Sequence, residues 1–456
     1  MRKSIIALNL LFLFGCNGGG DSATVAPEIP VEDVIRSINI DEKYYPESFA
    51  QSLQDNMDYF LDGVGVSTRL KLPYDHVLVQ GSSIAPSSYT NISTVALYIN
   101  LLVEMVDAGD EAASKRLDAV LTQLEVSPKW NGLFYWLYDM SGSALAVSNS
   151  ATVSAVDNGI MSFSLAGLNG AFDNHSDERL NRLAQRAQSL LEKQVIGWQS
   201  LYDPNRGLLH AGWSRTSNSL LGYHIDRKAN ESRLAPLWAV MVSEGTIPET
   251  AFTDMELLVG EYTMDSHDLT PMLTWDGSYF QAFLPALWLD EQRLIPNDQM
   301  MDDFTEVHKQ YADLHRIPFV SASATVDDGY AAFGVQDVSE SYRKFGNEIE
   351  TGTTGSPHTL GLYYMQNPSD ALARLNQLRN RSPQIQTQAG WADAIDANGH
   401  VSSKVIGLDQ GMFIGAFFAD SVRENVERYL TRKGYQTSLT SMYTDFIPNE
   451  TVTHTP

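Results

Sequence analysis

Between Val405 and Phe418 the chain is almost wholly apolar, yet Asp409 and Gln410 stand in the middle of the run. A buried carboxylate is costly unless it is paired or hydrogen-bonded. A chain that keeps one there has a use for it. Asp157 (SAVDNG), Asp276 (TWDGSYF), and Asp327 with Asp328 (VDDGY) occupy similar settings, each with glycine one or two places later. Taken singly, each reads as an Asp-Gly turn with the aspartate capping a helix. Taken together they are several carboxylates at one kind of helix start. If those starts converge, they make a cleft lined with acids and aromatics. Paired carboxyls in such a cleft suit glycoside chemistry, where one protonates the leaving oxygen and the other activates water or attacks.

Glu231 (NESRLAPLWAV) sits just before a second apolar helix, with His224, Asp226 and Arg227 upstream. Pro236 fits only in that helix's first turn. The competing reading is a glutamate paired with Arg233. His358 closes a polar glycine-rich loop, Gly352 to His358, which reads as a substrate-shaping loop or a plain turn. The loop lacks the lysine of a phosphate-binding loop, and HExxH, GxSxG and CxxC are all missing. Asp396-Ala397-Asn398-Gly399 resembles part of a calcium loop, but Ala394 replaces its first ligand.

The elements that must hold these groups read mainly as helices. Asn91 to Ala108 is apolar all round, as a buried helix is. Glu111–Leu124 and Glu178–Val195 carry one apolar face each, the latter with Ser176 as its expected cap. Further helices are expected at 234–243, 280–289, 302–312, 369–380, 411–418 and 421–433. Strand signals are few, at Arg69–Lys71 and Leu78–Val79. No fixed repeat period is present, which argues against a solenoid. One domain over 36–447 follows, an all-α closed toroid of helical hairpins with few short strands. Residues 448–456 read as a disordered tail.

The formal net charge is −25 over 456 residues. Such a balance opposes binding to nucleic acid or to an anionic membrane surface and suits a neutral or cationic ligand. Residues 1–15 have a basic start and a short apolar core, the pattern of a signal peptide. They end at Gly15-Cys16, and Cys16 is the only cysteine of the chain. Leu13-Phe14-Gly15-Cys16 resembles a lipoprotein signal, which makes Cys16 the expected lipid anchor. Residues 16–35 follow as a flexible linker. Asn17 after the anchor points, by analogy with lipoprotein sorting, to the outer membrane, facing periplasm or cell surface.

From about Tyr89 to Lys433 the chain resembles the bacterial glucoamylase-like proteins, in particular the endo-β-1,2-glucanases of glycoside hydrolase family 144. The resemblance is carried by six fragments in order: YTNISTVALYINLLVEM, GLFYWLYD with SAVDNG, NESRLAPLWAV, LTWDGSYFQAFLPALW, YAAFGV and GLDQGMFIGAF. It implies a six-hairpin (α/α) toroid and an inverting endo-glycosidase. It makes Glu231 the general acid and Asp409 the general base. It places Asp157, Trp213, Asp276, Tyr279, Gln410 and His358 against a glucan oligosaccharide or polysaccharide. No cofactor and no metal is expected, and the protein is expected to be a monomer held at a membrane by its lipid alone. The rival readings are a glycan-binding lipoprotein on the same scaffold without hydrolysis, a glycosidase of another linkage, and a polysaccharide-processing factor.

Overall fold

The computed structural model describes residues 35, 37–40, 46–148, 151–264 and 267–453. Cys16 and the leader over 1–15 lie outside them. Three buried helices are each entered directly from a short strand. Tyr89–Asn91 runs into Ile92–Asp107, Thr152–Ser154 into Ala155–Phe172, and Lys404–Ile406 into Gly407–Gly415. The strands are held antiparallel to partners at the same end, 89–91 to 137–139, 152–154 to 212–214, and 404–406 to 76–78. Asn91 caps its helix by accepting the Ser93 N–H at 2.8 Å, and Ser154 accepts that of Asp157. Capping groups of this kind satisfy orphan N–H groups of the first turn.

The inner elements form a closed series of contacts. Ile92–Asp107 packs on Ala155–Phe172, which packs on the Glu231–Arg233 turn and on Leu234–Val242. That turn touches Tyr279–Phe283, which touches His358–Tyr364, which packs on Gly407–Gly415; the last returns to Ile92–Asp107. These helices are apolar all round because they are enclosed all round. Glu111–Val126 and Glu178–Leu201 lie outside them and bury one face each, through Leu117, Val120 and Leu121 and through Leu183, Ala187 and Leu190.

Some local expectations change. The stretch 155–172 is a helix that apolar periodicity does not announce, because three glycines interrupt it. The glycines are there for proximity. A Cβ on Gly170 would lie 1.9 Å from the Asn425 carbonyl oxygen, and one on Gly159 2.8 Å from the Ala235 nitrogen. Asp177 rather than Ser176 caps the Glu178–Leu201 helix. Arg69–Lys71 is a turn, closed by the Lys71 N–H on the Ser67 carbonyl, and the strand nearby is His76–Gln80. The tail is ordered through 453. Glu450–Val452 forms a parallel strand on Leu258–Gly260, and the Val452 carbonyl accepts from Arg343. Its backbone groups find partners, which outweighs its polar composition. Four of the eight tryptophans, Trp198, Trp238, Trp288 and Trp391, are fully buried core.

Among the described residues, no helix is long and apolar enough to cross a membrane.

Candidate active site

Glu231 opens a single 3-10 turn ahead of Leu234–Val242. Arg233, two residues on, does not pair with it. The fully buried Arg233 guanidinium clasps Glu291 in a two-point ion pair, Nε to Oε1 at 2.7 Å and Nη2 to Oε2 at 2.6 Å. It also donates to the Ala282 carbonyl at 2.6 Å, and Tyr443 donates to Glu291 at 2.6 Å. With its neighbour committed elsewhere, Glu231 keeps Oε2 buried and without a hydrogen-bond partner. Burial pushes the Glu231 carboxyl up to about 7; the charges of Asp276 and Asp157 add to this, while its own N–H and Arg233 oppose it. Part of the residue's surface is open, but the unpartnered oxygen is not, and the oxygen decides the solvation penalty.

Asn230 ties this turn to the next acid by accepting the Trp275 N–H at 3.0 Å. Asp276 then accepts from Gln281 Nε2 at 3.2 Å; burial raises its pKa to about 6, and the Gln281 bond limits the rise. Gly277 makes the turn behind it with φ +73°, where a Cβ would strike the Val335 carbonyl at 2.2 Å. Asp157 takes a 2.6 Å hydrogen bond from the Ser93 hydroxyl. Its carboxyl is raised by burial, with Ser154 and Ser93 opposing and Asp75 adding.

Asp409 lies in the first turn of Gly407–Gly415 and is 4% exposed. It is not a cap. The glycine two places on serves packing, since a Cβ on Gly411 would meet Leu97 at 2.7 Å. Burial pushes the Asp409 carboxyl up to about 7, and the neighbouring Asp393 side chain limits the rise. Burial and the negative charge of Asp409 drive Asp393 well above the carboxylate range, so it is the one of the two to keep a proton. Asp393 Oδ2 accepts the Ala324 N–H at 2.6 Å. His358 completes the group. Its Nδ1 stands 3.3 Å from Asp409 Oδ2 and 2.6 Å from the Ser356 hydroxyl. Burial lowers its pKa to about 4, so the imidazole is neutral and the approach to Asp409 is a polar contact rather than an ion pair.

Tyr330 joins the two halves. The residue is 47% exposed, yet its hydroxyl is buried enough to be pushed well above its ordinary range. The charges of Asp409, Asp393, Asp75 and Glu231 all add to that rise. Asp75, on the turn into His76–Gln80, acts on Asp157 and Asp409 as well. Glu231 and Asp409 thus both lie within electrostatic reach of the Tyr330 hydroxyl, with Asp276 and Asp157 acting on the first and Asp393 and His358 beside the second.

Not every residue singled out in the sequence serves as expected. Tyr279 is fully buried in an aromatic cluster with Phe283, Phe304, His308 and Phe319, its hydroxyl turned to Gln366. Its ring fills the core, so it is removed from the sugar-binding set. Gln410 donates to the Trp391 carbonyl at 2.9 Å, fixing backbone beside Asp409. His358 is 2% exposed and supports Asp409 from beneath. Trp213 stacks on Trp130 at 5.1 Å and keeps 8% of its surface open. Asp328 clamps Ser402 and Ser403, and Asp396 closes a turn on His400; both are structural. Asp393, Asp75, Tyr330 and Ser93 are additions from the structure. The acid before Ala394 and the tyrosine of the YAAFGV fragment were visible in the sequence, but nothing local distinguished them.

The closed series of buried helices gives the chain a fold shared with solved glycoside hydrolases. Its fold is that of an endo-β-1,2-glucanase from Talaromyces funiculosus, solved as a mutant with β-1,2-glucan: TM-score 0.76, 13% identity, covering 88% of this chain and 90% of that one. An endo-β-1,2-glucanase from Chitinophaga pinensis, in complex with sophorotriose and glucose, matches at TM-score 0.71 and 14% identity, over 87% and 97%. A glucoamylase candidate from Bacteroides caccae matches at TM-score 0.72 and 17% identity, over 87% and 98%. No family model and no curated protein matches the sequence.

Proposed function

We propose that this protein is a glycoside hydrolase that cleaves a β-glucan, an inverting endo-β-1,2-glucanase on a six-hairpin (α/α) toroid. The observation that carries the reading is the pair Glu231 and Asp409. Both are held near pKa 7 by burial, and both act on the same tyrosine. A general acid must be protonated at working pH and a general base ionised, and pKa values near that pH serve both. Asp409 takes a proton from water as the water's oxygen attacks the anomeric carbon. The glycosidic bond breaks on the opposite side, and its oxygen takes the Glu231 proton. Asp157, Asp276 and Trp213 border the sugar; Gln410, His358 and Asp393 orient the base. No step calls for a cofactor. We place the protein at the outer membrane, held by lipid on Cys16.

The test is product analysis on linear glucans of different linkage, with the full chain. Short oligosaccharides released from the β-1,2 polymer, and initial products of inverted anomeric configuration, are the expected result. Retention of a glucan without cleavage would instead establish a binding protein on this scaffold. Cleavage of another linkage alone would overturn the substrate.

A further inference from the structure

A second constellation lies apart from the acids around Tyr330, on the small sheet that precedes Glu231. Strands Tyr202–Asp203, Leu208–His210 and His224–Ile225 pair antiparallel, with His210 directly opposite His224 and Asp203 opposite Leu208. Leu208 and His210 are two apart on one strand and share a face. The register therefore brings Asp203, His210 and His224 to one side of the sheet. Their side chains are 16%, 17% and 14% exposed, sheltered but open to an entering ion.

The hydrogen bonds orient these groups. His210 Nδ1 lies 2.7 Å from the Leu221 carbonyl oxygen. A carbonyl only accepts, so Nδ1 carries a proton, and Nε2 is the nitrogen left to face an ion. That nitrogen faces Asp203 Oδ2 at 3.8 Å. His224 Nε2 donates to the same oxygen at 3.0 Å, a proton that an entering ion would displace, and the two imidazole centres are 4.3 Å apart. The other Asp203 oxygen is occupied by the Asn205 N–H at 3.0 Å. Two imidazoles and one carboxylate place three donor atoms within 4.8 Å of one another. Donors bound to tetrahedral zinc stand about 3.4 Å apart, from bond lengths of about 2.1 Å. The 3.0 and 3.8 Å separations here bracket that spacing. A carbonyl gripping the far nitrogen of a ligating histidine is the usual outer support of such a site.

We propose that Asp203, His210 and His224 bind a divalent first-row transition cation of the zinc class, with solvent in the fourth position. The ligand chemistry selects against calcium and magnesium, which take all-oxygen sites. The ion joins three strands just upstream of Glu231, so it serves as a clip on the segment that carries that residue. The inference does not depend on the proposed glucanase activity.

The experiment uses the full chain, purified without a polyhistidine tag, with Zn²⁺ as the probe. Metal analysis after dialysis is expected to give one zinc per chain, with calcium not retained. His210→Ala and His224→Ala are expected to weaken zinc binding by roughly 100-fold or more, beyond the 10–100-fold typical of losing an outer-shell partner. Asp409→Asn is the control for the other acid-histidine group, His358, Asp393 and Asp409, and is expected to keep its zinc. Cobalt substitution of the unaltered protein guards against misfolded variants, since intense visible bands report nitrogen and oxygen donors around a low-coordinate ion. No retained zinc, a spectrum like aqueous cobalt, or zinc lost in Asp409→Asn but kept in His210→Ala would each overturn the assignment.

Discussion

Replacing Asp393 by alanine tests how the base is tuned. Asp393, raised well above the carboxylate range, keeps a proton beside Asp409 that it can donate as a hydrogen bond, which favours the ionised form of Asp409. A hydrogen bond to a charged group contributes roughly 1.5–3 kcal/mol, and one pKa unit is about 1.36 kcal/mol. Losing it should raise Asp409 by about 1–2 units, with water in the vacated space recovering part. In Asp393→Ala the fraction of free enzyme with Asp409 ionised should therefore shrink at low pH. At pH 6, kcat/KM should fall about tenfold relative to the parent, and much less above about pH 8. Asp393→Asn keeps an N–H donor and should leave kcat/KM at pH 6 nearly unchanged. The alanine variant also strands the Ala324 N–H, at a cost of about 1–3 kcal/mol, so denaturation curves should accompany the profiles. An unchanged or higher kcat/KM at pH 6 in Asp393→Ala would refute the reasoning. A rise would mean that Asp393 carries negative charge beside Asp409 rather than a proton.

Glu231→Gln should abolish turnover while leaving glucan binding measurable by calorimetry; normal turnover would remove Glu231 as the acid. The same variant should be more stable than the parent above pH 7. A carboxyl whose folded pKa is raised from 4.5 to about 7 loses stability as pH climbs between those values, worth about 3 kcal/mol. Urea midpoints should therefore converge below pH 4 and separate above pH 7. Arg233→Ala should destabilise the fold by about 3–5 kcal/mol, because it leaves Glu291 buried and unpaired, and a loss under 1 kcal/mol in urea unfolding would contradict that. Cys16→Ser should release the protein from membranes in fractionation, and retention in the membrane pellet would rule out the lipid anchor.

Much of the helical frame was legible because its signals are local. Apolar residues all round marked Ile92–Asp107, and single apolar faces marked Glu111–Val126 and Glu178–Leu201. The helix Ala155–Phe172 escaped because its glycines answer to Asn425 and Ala235, partners far away in sequence. The acids at helix starts were equally visible, but local context gave Asp328 and Asp409 the same weight. One proves to clamp a pair of serines and the other lies over His358 and Asp393. Tyr279 and Trp213 look alike as aromatic platforms in sequence, and only packing shows Tyr279 to be a fully buried core ring and Trp213 to stack on Trp130 with part of its surface open.

The sequence by itself determined that acids stand inside apolar helix starts, that buried helices dominate, and that a lone cysteine follows a short apolar leader. Those are properties of residue type and spacing, readable without knowing any neighbour. Tertiary structure alone decided that Arg233 belongs to Glu291, so that Glu231 is left with a raised pKa. It also decided that Asp393 stands beside Asp409 with its own pKa raised there, and that His210 and His224 meet across a strand pair. Protonation and ligation depend on which groups lie within a few ångströms, and that distance is set by contacts between segments remote in the chain.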